Sequence, residues 1–231
     1  MTRSKPTRRD GWAFAAHGEG TPMLVGLDFD NTVVCYDRLF HRLARERGLI
    51  PEHVPATKGA VRDHLRAAGR EDDWTELQGV GYGPRISDAE PFPGVKEFLA
   101  RAKQAGVRVV IISHKTKHPY LGEPHDLHAA AHAFLTAHRF YDTAATGLSP
   151  ASVYLELTKQ AKLDRIASLG CDVFVDDLPE FLAEPAFPVR PWKVLFDPAD
   201  ASPDADDYIR AKSWDEIAAL VLPGEGVRWA A

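Results

Sequence analysis

The sequence predicts a doubly wound, three-layer α/β fold: a Rossmann-like core with a parallel sheet, and a small helical cap inserted after the first strand. One observation predicts the core. Short apolar runs alternate along the chain with segments of helical period, which is typical of a parallel sheet covered by helices. A second observation predicts the cap, because more than fifty residues separate Val34 from Glu90, far more than an ordinary strand-to-strand crossover contains.

The apolar runs that predict strands are continuous or nearly so, as expected for strands buried on both faces. They cover residues 23–27, 107–112, 153–157, 173–175 and 194–196. Helical periodicity follows in three places, around Phe98, Ile166 and Leu220. Gly106 and Gly170 lie where helix C-caps are expected, directly before the next strand.

The long first crossover has helical patterns of its own over residues 37–49 and 57–68. The run GVGYGPR, with Gly79, Gly81 and Gly83, is interpreted as conformational freedom for the returning chain. The predicted organisation is a mobile N-terminal tail in 1–20, a catalytic core formed by 21–34 and 91–231, and a helical cap in 35–90.

Composition excludes several protein classes. A hydrophobic content of 45% with a formal net charge of -5 is typical of a globular protein and does not fit a disordered chain or a basic nucleic-acid-binding domain. No apolar run is long enough for a signal peptide or a membrane span. Two cysteines support neither a disulfide framework nor a paired-cysteine zinc site, so we expect a cytoplasmic protein.

Charged and polar residues follow the predicted strands. Ligands of open parallel sheets bind beyond the carboxyl ends of the strands, and these positions hold Asp28, Asp30, Ser113, Lys159, Lys162, Asp176 and Asp177. Two carboxylates about 4 Å apart repel by roughly 4 kcal/mol at an effective dielectric near 20. A shared Mg²⁺, which prefers carboxylate and water oxygens, would relieve this repulsion.

Four stretches, in this order, resemble the motifs of the haloacid dehalogenase superfamily of phosphatases. They are LDFDNT at 27–32, VVIISH at 109–114, the lysine within TKQAKLDRI at 158–166, and VFVDD at 173–177. The resemblance covers residues 23–222, with the inserted helices in the place of that family's first cap. Asn31 stands where the family usually has glycine, and asparagine tolerates the left-handed backbone conformation better than most residues.

The resemblance implies a role for each matching side chain. Asp28 would attack phosphorus and form an aspartyl-phosphate, and Asp30 would protonate the leaving alkoxide and then activate water. Ser113 and a lysine would hold the phosphoryl oxygens. Lys162 is preferred for this lysine, and Lys159 stays an alternative. Family members that cleave carbon–halogen bonds lack an acid at the position of Asp30, so phosphate ester hydrolysis is favoured.

The resemblance also implies a Mg²⁺ cofactor. Its ligands would be Asp28, the backbone carbonyl of Asp30, Asp176 and, directly or at one remove, Asp177. The expected partner is a small phosphorylated metabolite, a sugar phosphate or a nucleoside monophosphate, rather than a nucleic acid or a membrane. A catalytically silent domain that senses a phosphorylated ligand is the alternative.

Candidates for contacts with the substrate are Thr32, His114, Lys115 and Arg85, with Tyr82 beside Arg85 in the cap. A cluster of histidines follows Ser113, and His125, His128 and His132 have a spacing that one helical face could hold. The apolar residues between these histidines favour an ordinary packed helix over a zinc site.

Overall fold

The computed structural model describes residues 22–203 and 205–223. Its centre is a six-stranded parallel sheet in the order β5-β4-β1-β6-β7-β8. The strands are β1 (Leu24–Leu27), β4 (Arg108–His114), β5 (Val153–Glu156), β6 (Val173–Asp176), β7 (Trp192–Phe196) and β8 (Ile209–Ala211). The predicted tail at 1–20 lies outside the described residues.

Nine α-helices are formed within the described residues. They are α1 (Asp37–Glu46), α2 (Lys58–Ala67), α3 (Glu71–Tyr82), α4 (Val95–Gln104), α5 (Leu127–Ala137), α6 (Thr143–Thr146), α7 (Lys159–Leu169), α8 (Pro179–Leu182) and α9 (Trp214–Val221). Gly170 ends α7 with a φ of 65°, and Gly106, one residue beyond the cap of α4, has a φ of 73°. Both glycines therefore adopt the left-handed conformation that the sequence predicts for a helix end.

Side chains of the sheet alternate between two apolar clusters. On β4, Val109 and Ile111 belong to the cluster that includes α4, α5 and α9. Val110 and Ile112 belong to the opposite cluster, which includes α7 and α8. Because a strand directs successive side chains to opposite faces, this alternation gives the helix–sheet–helix layers of the predicted α/β fold.

Helices α1, α2 and α3 lie between two short strands, β2 (Val34–Cys35) and β3 (Glu90–Pro91). These strands pair antiparallel and form a ribbon that leads out of β1 and returns toward α4. The inserted segment joins the main apolar cluster of the protein through residues such as Phe40, Leu65 and Trp74.

Helix α3 corrects the interpretation of the glycine run. Gly79 and Gly81 lie inside this helix, and a Cβ at Gly81 would come within 2.9 Å of the Phe40 ring. These glycines permit close packing of α3 against its neighbours instead of supplying a flexible return. The periodicity missed α3 because glycine in a helix interior is unfavourable by about 1 kcal/mol relative to alanine and normally indicates a turn.

Strand β8 is another element without a sequence prediction, as are the short elements β2, β3, α6 and α8. It has three residues and pairs with β7 at the edge of the sheet. Arg210 stands at its centre, so no continuous apolar run marks it.

Within the described residues, no helix has the length and apolar character needed to cross a bilayer. Cys35 and Cys171 are both free thiols.

Candidate active site

The topology of the sheet brings the three acidic and hydroxyl motifs together. β1 lies between β4 and β6, and Leu27 is in register with Ile111 on one side and with Val175 on the other. The three parallel strands have their carboxyl ends on the same side of the sheet, and the Asp28 amide donates to the Val175 carbonyl at 2.8 Å. Residues at or just beyond the carboxyl ends of the three strands therefore become neighbours, although the sequence separates them widely.

Asp28 is at the centre of this group. Its side chain is buried, and its Oδ1 accepts hydrogen bonds from Ser113 Oγ at 2.9 Å and from Lys162 Nζ at 2.7 Å. Burial raises the pKa of the Asp28 carboxyl to about 7 against the opposing charge of Lys162. A carboxylate held in this way is oriented and only partly neutralised, as a nucleophile requires.

The two candidate lysines occupy different positions on α7. Lys162 is buried, and its Nζ also donates to Asp176 Oδ2 at 2.6 Å. The side chain of Lys159 is 54% exposed and forms an ion pair with Glu184 at the mouth of the site. Of the two, the structure brings Lys162 into contact with the acids, because α7 turns one face toward the sheet and Lys162 lies on that face.

Three carboxylates are grouped closely enough to hold a metal ion. Asp28, Asp176 and Asp177 each offer an oxygen, and these oxygens lie within 4.8 Å of one another. Burial raises the pKa of Asp177 well above its ordinary value, and the charges of Asp176 and Asp28 raise it further. Three hard oxygen donors that repel one another in a buried site fit Mg²⁺.

Asp30 forms its own partly buried network beside the acid group. Lys115 Nζ donates to both carboxylate oxygens, at 2.9 and 2.8 Å, and Tyr36 Oη donates to Oδ1 at 2.6 Å. Burial raises the pKa of Asp30, but the charge of Lys115 and these hydrogen bonds outweigh it and hold the pKa below its ordinary value. Asn31 has a φ of 58°, which is the left-handed conformation that the substitution for glycine anticipates.

A cavity of about 400 Å³ opens above these residues, between the carboxyl ends of the strands and the cap. The core contributes Asp28, Asp30, Asn31, Ser113, His114, Lys159, Lys162, Asp177, Leu178, Glu180, Phe181 and Glu184. The cap contributes Lys58, Gln78 and Tyr82. Sequence reasoning missed Lys58, Gln78, Glu180 and Glu184. Among these, only Gln78 has a sequence signal, because it lies four residues before Tyr82 on one helical face.

The predicted substrate contacts are divided by the structure. His114 lines the cavity, but Thr32, Lys115 and Arg85 do not. Thr32 is buried, and its Oγ1 has no hydrogen-bond partner among the described residues. The ammonium of Lys115 is used by Asp30. Neither side chain lines the cavity, so direct contact of Thr32 or Lys115 with a substrate stays a prediction.

Arg85 also does not line the cavity, for a different reason. Its guanidinium pairs with Glu46 at 3.0 Å and with Asp88 at 2.6 Å on the outer side of the cap. The side chain is therefore committed to two carboxylates away from the cavity. A guanidinium held by two carboxylates organises the local turn and offers few donors to a ligand.

The histidines do not assemble into a metal site within the described residues. His125 precedes α5, His128 Nε2 contacts the Lys115 carbonyl at 2.8 Å, and His132 pairs with Tyr141. Among the described residues, the group whose ligand atoms lie close enough to hold a metal ion consists of the carboxylates Asp28, Asp176 and Asp177. α5 buries Phe134 and Leu135 and is the packed helix that its apolar residues predict.

No protein-family model and no curated protein sequence matches this chain. Solved structures do. A dehalogenase is similar over 90% of this chain and 100% of its own, with 15% identity and a TM-score of 0.54. A HAD-superfamily hydrolase from Ehrlichia chaffeensis is similar over 86% of this chain and 95% of its own, with 13% identity and a TM-score of 0.50.

A third similar structure is a HAD family hydrolase from Deinococcus radiodurans with bound phosphate and sodium. It covers 87% of this chain and 95% of its own, with 17% identity and a TM-score of 0.50. At these identities the likeness concerns the backbone and its topology. The chain therefore has the fold of the haloacid dehalogenase superfamily of hydrolases.

Proposed function

We propose that this protein is a Mg²⁺-dependent phosphatase that hydrolyses a small phosphomonoester, such as a sugar phosphate or a nucleoside monophosphate, through an aspartyl-phosphate. One observation carries the proposal: Asp28 is in contact with a hydroxyl and an ammonium, and it belongs to a group of three carboxylates. The Deinococcus hydrolase, which has the same fold, has phosphate bound.

Asp28 is the proposed nucleophile. Its Oδ1 accepts both hydrogen bonds, from Ser113 and from Lys162, so the carboxylate is fixed in one orientation while Oδ2 can approach phosphorus. Attack by Oδ2 forms the bond to phosphorus as the bond to the leaving oxygen breaks. Water then attacks phosphorus and releases Asp28 and inorganic phosphate.

Ser113 and Lys162 are proposed to hold the phosphoryl oxygens. An ammonium has three donors, and Lys162 uses two of them on Asp28 and Asp176. The third donor can reach an oxygen of the transferring group, where negative charge collects in the transition state. Mg²⁺, held by Asp28, Asp176 and Asp177, would neutralise part of the same charge when it is bound.

Asp30 is the proposed acid and base. Its lowered pKa makes it an ionised carboxylate in the free protein, which suits the second half-reaction, in which water must lose a proton. The first half-reaction needs a protonated Asp30. The negative charge of a phosphoryl group placed beside it raises the pKa of a carboxyl, so the substrate itself would favour that proton.

Two rival functions have observations of their own. Dehalogenases share the fold. A halide leaves without a proton, however, so dehalogenation would need neither Asp30 as a general acid nor the other clustered acids as metal ligands. A silent phosphate sensor would use the cavity without turnover. The complete set of Asp28, Asp30, Ser113 and Lys162 around one cavity favours an enzyme over a sensor.

Product release separates these functions. We expect the wild-type protein with Mg²⁺ to release phosphate from members of a panel of sugar phosphates and nucleoside monophosphates, and to lose this activity with a chelator. Asp28→Asn is the control for contaminating phosphatases. Halide release from 2-haloacids without metal would support the dehalogenase instead, and ligand binding without any release would support the sensor.

A further inference from the structure

Lys58 projects from the cap into the candidate active site. It is the first residue of α2, and its amide donates to Asp37 Oδ1 at 2.8 Å. Thr57 caps the same helix by accepting from the Ala60 amide. The backbone at Lys58 is therefore held in place by two side chains. The Lys58 side chain lines the cavity from the cap, across from the carboxyl ends of the strands.

An aromatic wall fixes the direction of the Lys58 side chain. Its Nζ lies 5.2 Å from the ring centroid of Tyr82, 5.6 Å from that of Tyr36 and 5.8 Å from that of Phe40. The three rings contact one another edge-to-face, with centroid distances between 5.0 and 5.9 Å. Cation–π attraction stabilises an ammonium on such a surface. The Tyr82 hydroxyl accepts one hydrogen bond from Lys58, which leaves two of the three ammonium donors for a ligand.

The other lysines that line the cavity have carboxylate partners. Lys159 pairs with Glu184, and Lys162 pairs with Asp28 and Asp176. In the part of the chain that the structure describes, Lys58 Nζ forms no ion pair with a carboxylate. Burial lowers the pKa of Lys58, but nearby Tyr82 and the more distant Asp177 and Asp30 outweigh it and raise the pKa, so the amine is charged at neutral pH.

Gln78 extends the same wall. It lies one helical turn before Tyr82 on α3, and both line the cavity. Its side-chain amide makes no hydrogen bond to the other described residues and offers two N–H donors. An ammonium without a carboxylate partner and an amide without a hydrogen-bond partner, both among the described residues that line the cavity from the cap, are the donors that a carboxylate or phosphate group needs.

We propose that Lys58, with Gln78 beside it, binds an anionic group on the leaving-group side of the substrate. The preferred substrates are then phosphomonoesters of alcohols that carry a carboxylate or a second phosphate. The inference rests on the proposed function. In that function Ser113, Lys162 and the acids at the carboxyl ends of the strands bind the phosphoryl group, so the cap residues that line the cavity face the leaving group of the substrate.

A simpler role for Lys58 makes a different prediction. If Lys58 only balances the charges of Asp177 and Asp30, its loss weakens the binding of every phosphate ester by the same factor. If it binds the leaving group, its loss weakens only the binding of esters with a second anionic group. Comparison of matched ligands therefore separates the two roles.

The experiment measures binding by calorimetry in an Asp28→Asn background, with Mg²⁺ present. The ligands are 3-phosphoglycerate, glycerol 3-phosphate and a glycerol bisphosphate, which present a carboxylate, a hydroxymethyl group and a second phosphate at similar size. Lys58→Met keeps the aliphatic stem against the rings. Lys117→Met is the matched control, because Lys117 is 58% exposed and does not line the cavity.

We expect the Asp28→Asn parent to bind an anionic ester more tightly than glycerol 3-phosphate. A charge-assisted hydrogen bond is worth on the order of 10- to 100-fold in affinity. Lys58→Met should lose about that factor for the anionic ester and less than about 2-fold for glycerol 3-phosphate, Lys58→Arg should recover most of it, and Lys117→Met should match the parent. The anion that loses more identifies carboxylate or phosphate as the ligand chemistry.

Two results overturn the inference: an equal loss for all esters in Lys58→Met, or a parent that binds no anionic ester more tightly than the neutral one. Thermal unfolding of each variant verifies that it is folded. Phosphate release by the wild-type protein is measured separately. Discrimination at Lys58 without any phosphate release would refute the proposed phosphatase activity and leave the anion subsite intact.

Discussion

Lys162 Nζ lies 2.7 Å from Asp28 Oδ1, although 134 positions separate the two residues in the sequence. Both side chains are almost fully buried, with 4% and 7% of the side-chain surface exposed. Removal of one partner of a buried ion pair leaves an uncompensated charge, which is far more costly than loss of an exposed pair. This contact links the fold of the protein directly to its proposed chemistry.

Lys162→Met and Lys159→Met should therefore differ strongly. Lys162→Met leaves Asp28 and Asp176 without their shared cation, and we expect metal-free unfolding to cost about 3–5 kcal/mol less than in the wild type, with activity almost abolished. Lys159 forms only a largely exposed pair, so Lys159→Met should change stability by less than about 1 kcal/mol. Denaturant unfolding and phosphate release measure both. Equal small effects would contradict the assignment of Lys162.

Asp28→Asn should abolish turnover, because an amide cannot form the acyl-phosphate that the mechanism requires. In the wild-type protein, rapid quenching during turnover should trap a phosphoryl group on the peptide that contains Asp28, detected by mass spectrometry. The variant should show no such adduct and should retain the far-ultraviolet spectrum of the folded protein. Turnover at the wild-type rate would exclude Asp28 as the nucleophile.

Mg²⁺ affinity should depend on pH. Burial raises the pKa of Asp28 to about 7 in the metal-free protein against the charge of Lys162, and a metal ion needs the ionised carboxylate. Below this pKa, protons compete with the metal, and above it they do not. The apparent affinity should therefore rise by about 10-fold between pH 6 and pH 8.

The measurement for this prediction is thermal unfolding at a series of Mg²⁺ concentrations at pH 6, 7 and 8. Binding to the folded state at 100 times the dissociation constant stabilises a protein by about 2.7 kcal/mol, so the midpoint should rise with Mg²⁺ at each pH. The concentration needed should fall as pH rises. The same shift at all three pH values would mean that no group of the site titrates with metal binding.

Tyr36→Phe should lower kcat more than it changes KM. The phenol donates to Asp30 Oδ1 at 2.6 Å and does not line the cavity, so its loss releases one of the donors that orient the proposed acid and base. Tyr208→Phe is the matched control, because the Tyr208 hydroxyl is also hydrogen-bonded, to the Pro203 carbonyl, near β8. Steady-state kinetics should separate them, and a KM effect alone would contradict the orienting role.

Gly26→Ala should destabilise the core of the sheet. A Cβ on Gly26 would lie 2.6 Å from Cδ2 of Phe174, on the strand beside β1. Overpacking of this kind costs about 1–3 kcal/mol. Gly59→Ala, in α2 with open space around a Cβ, should be neutral or stabilising, since alanine favours a helix interior by about 0.5–1 kcal/mol. Urea unfolding compares the two, and equal stability would contradict the tight contact.

The sequence alone determined most of the sheet and the residues at the carboxyl ends of its strands. Continuous apolar runs predicted five of the six parallel strands, because a strand buried on both faces has no place for a polar side chain. The order of the motifs predicted the group that now includes Asp28, Ser113 and Asp176, since parallel strands all end at one edge. Asn31, with its φ of 58°, also follows from local backbone preference.

Tertiary structure alone decided what surrounds this edge. Helix packing placed Lys162 rather than Lys159 against Asp28, paired Lys115 with Asp30, and brought Lys58 and Gln78 from the cap to the lining of the cavity. It also made a helix of the glycine-containing segment that becomes α3, since close approach of Phe40 offsets an unfavourable local preference. A sequence pattern records which side of an element is apolar, but the identity of a contact across more than eighty residues depends on how whole elements pack together.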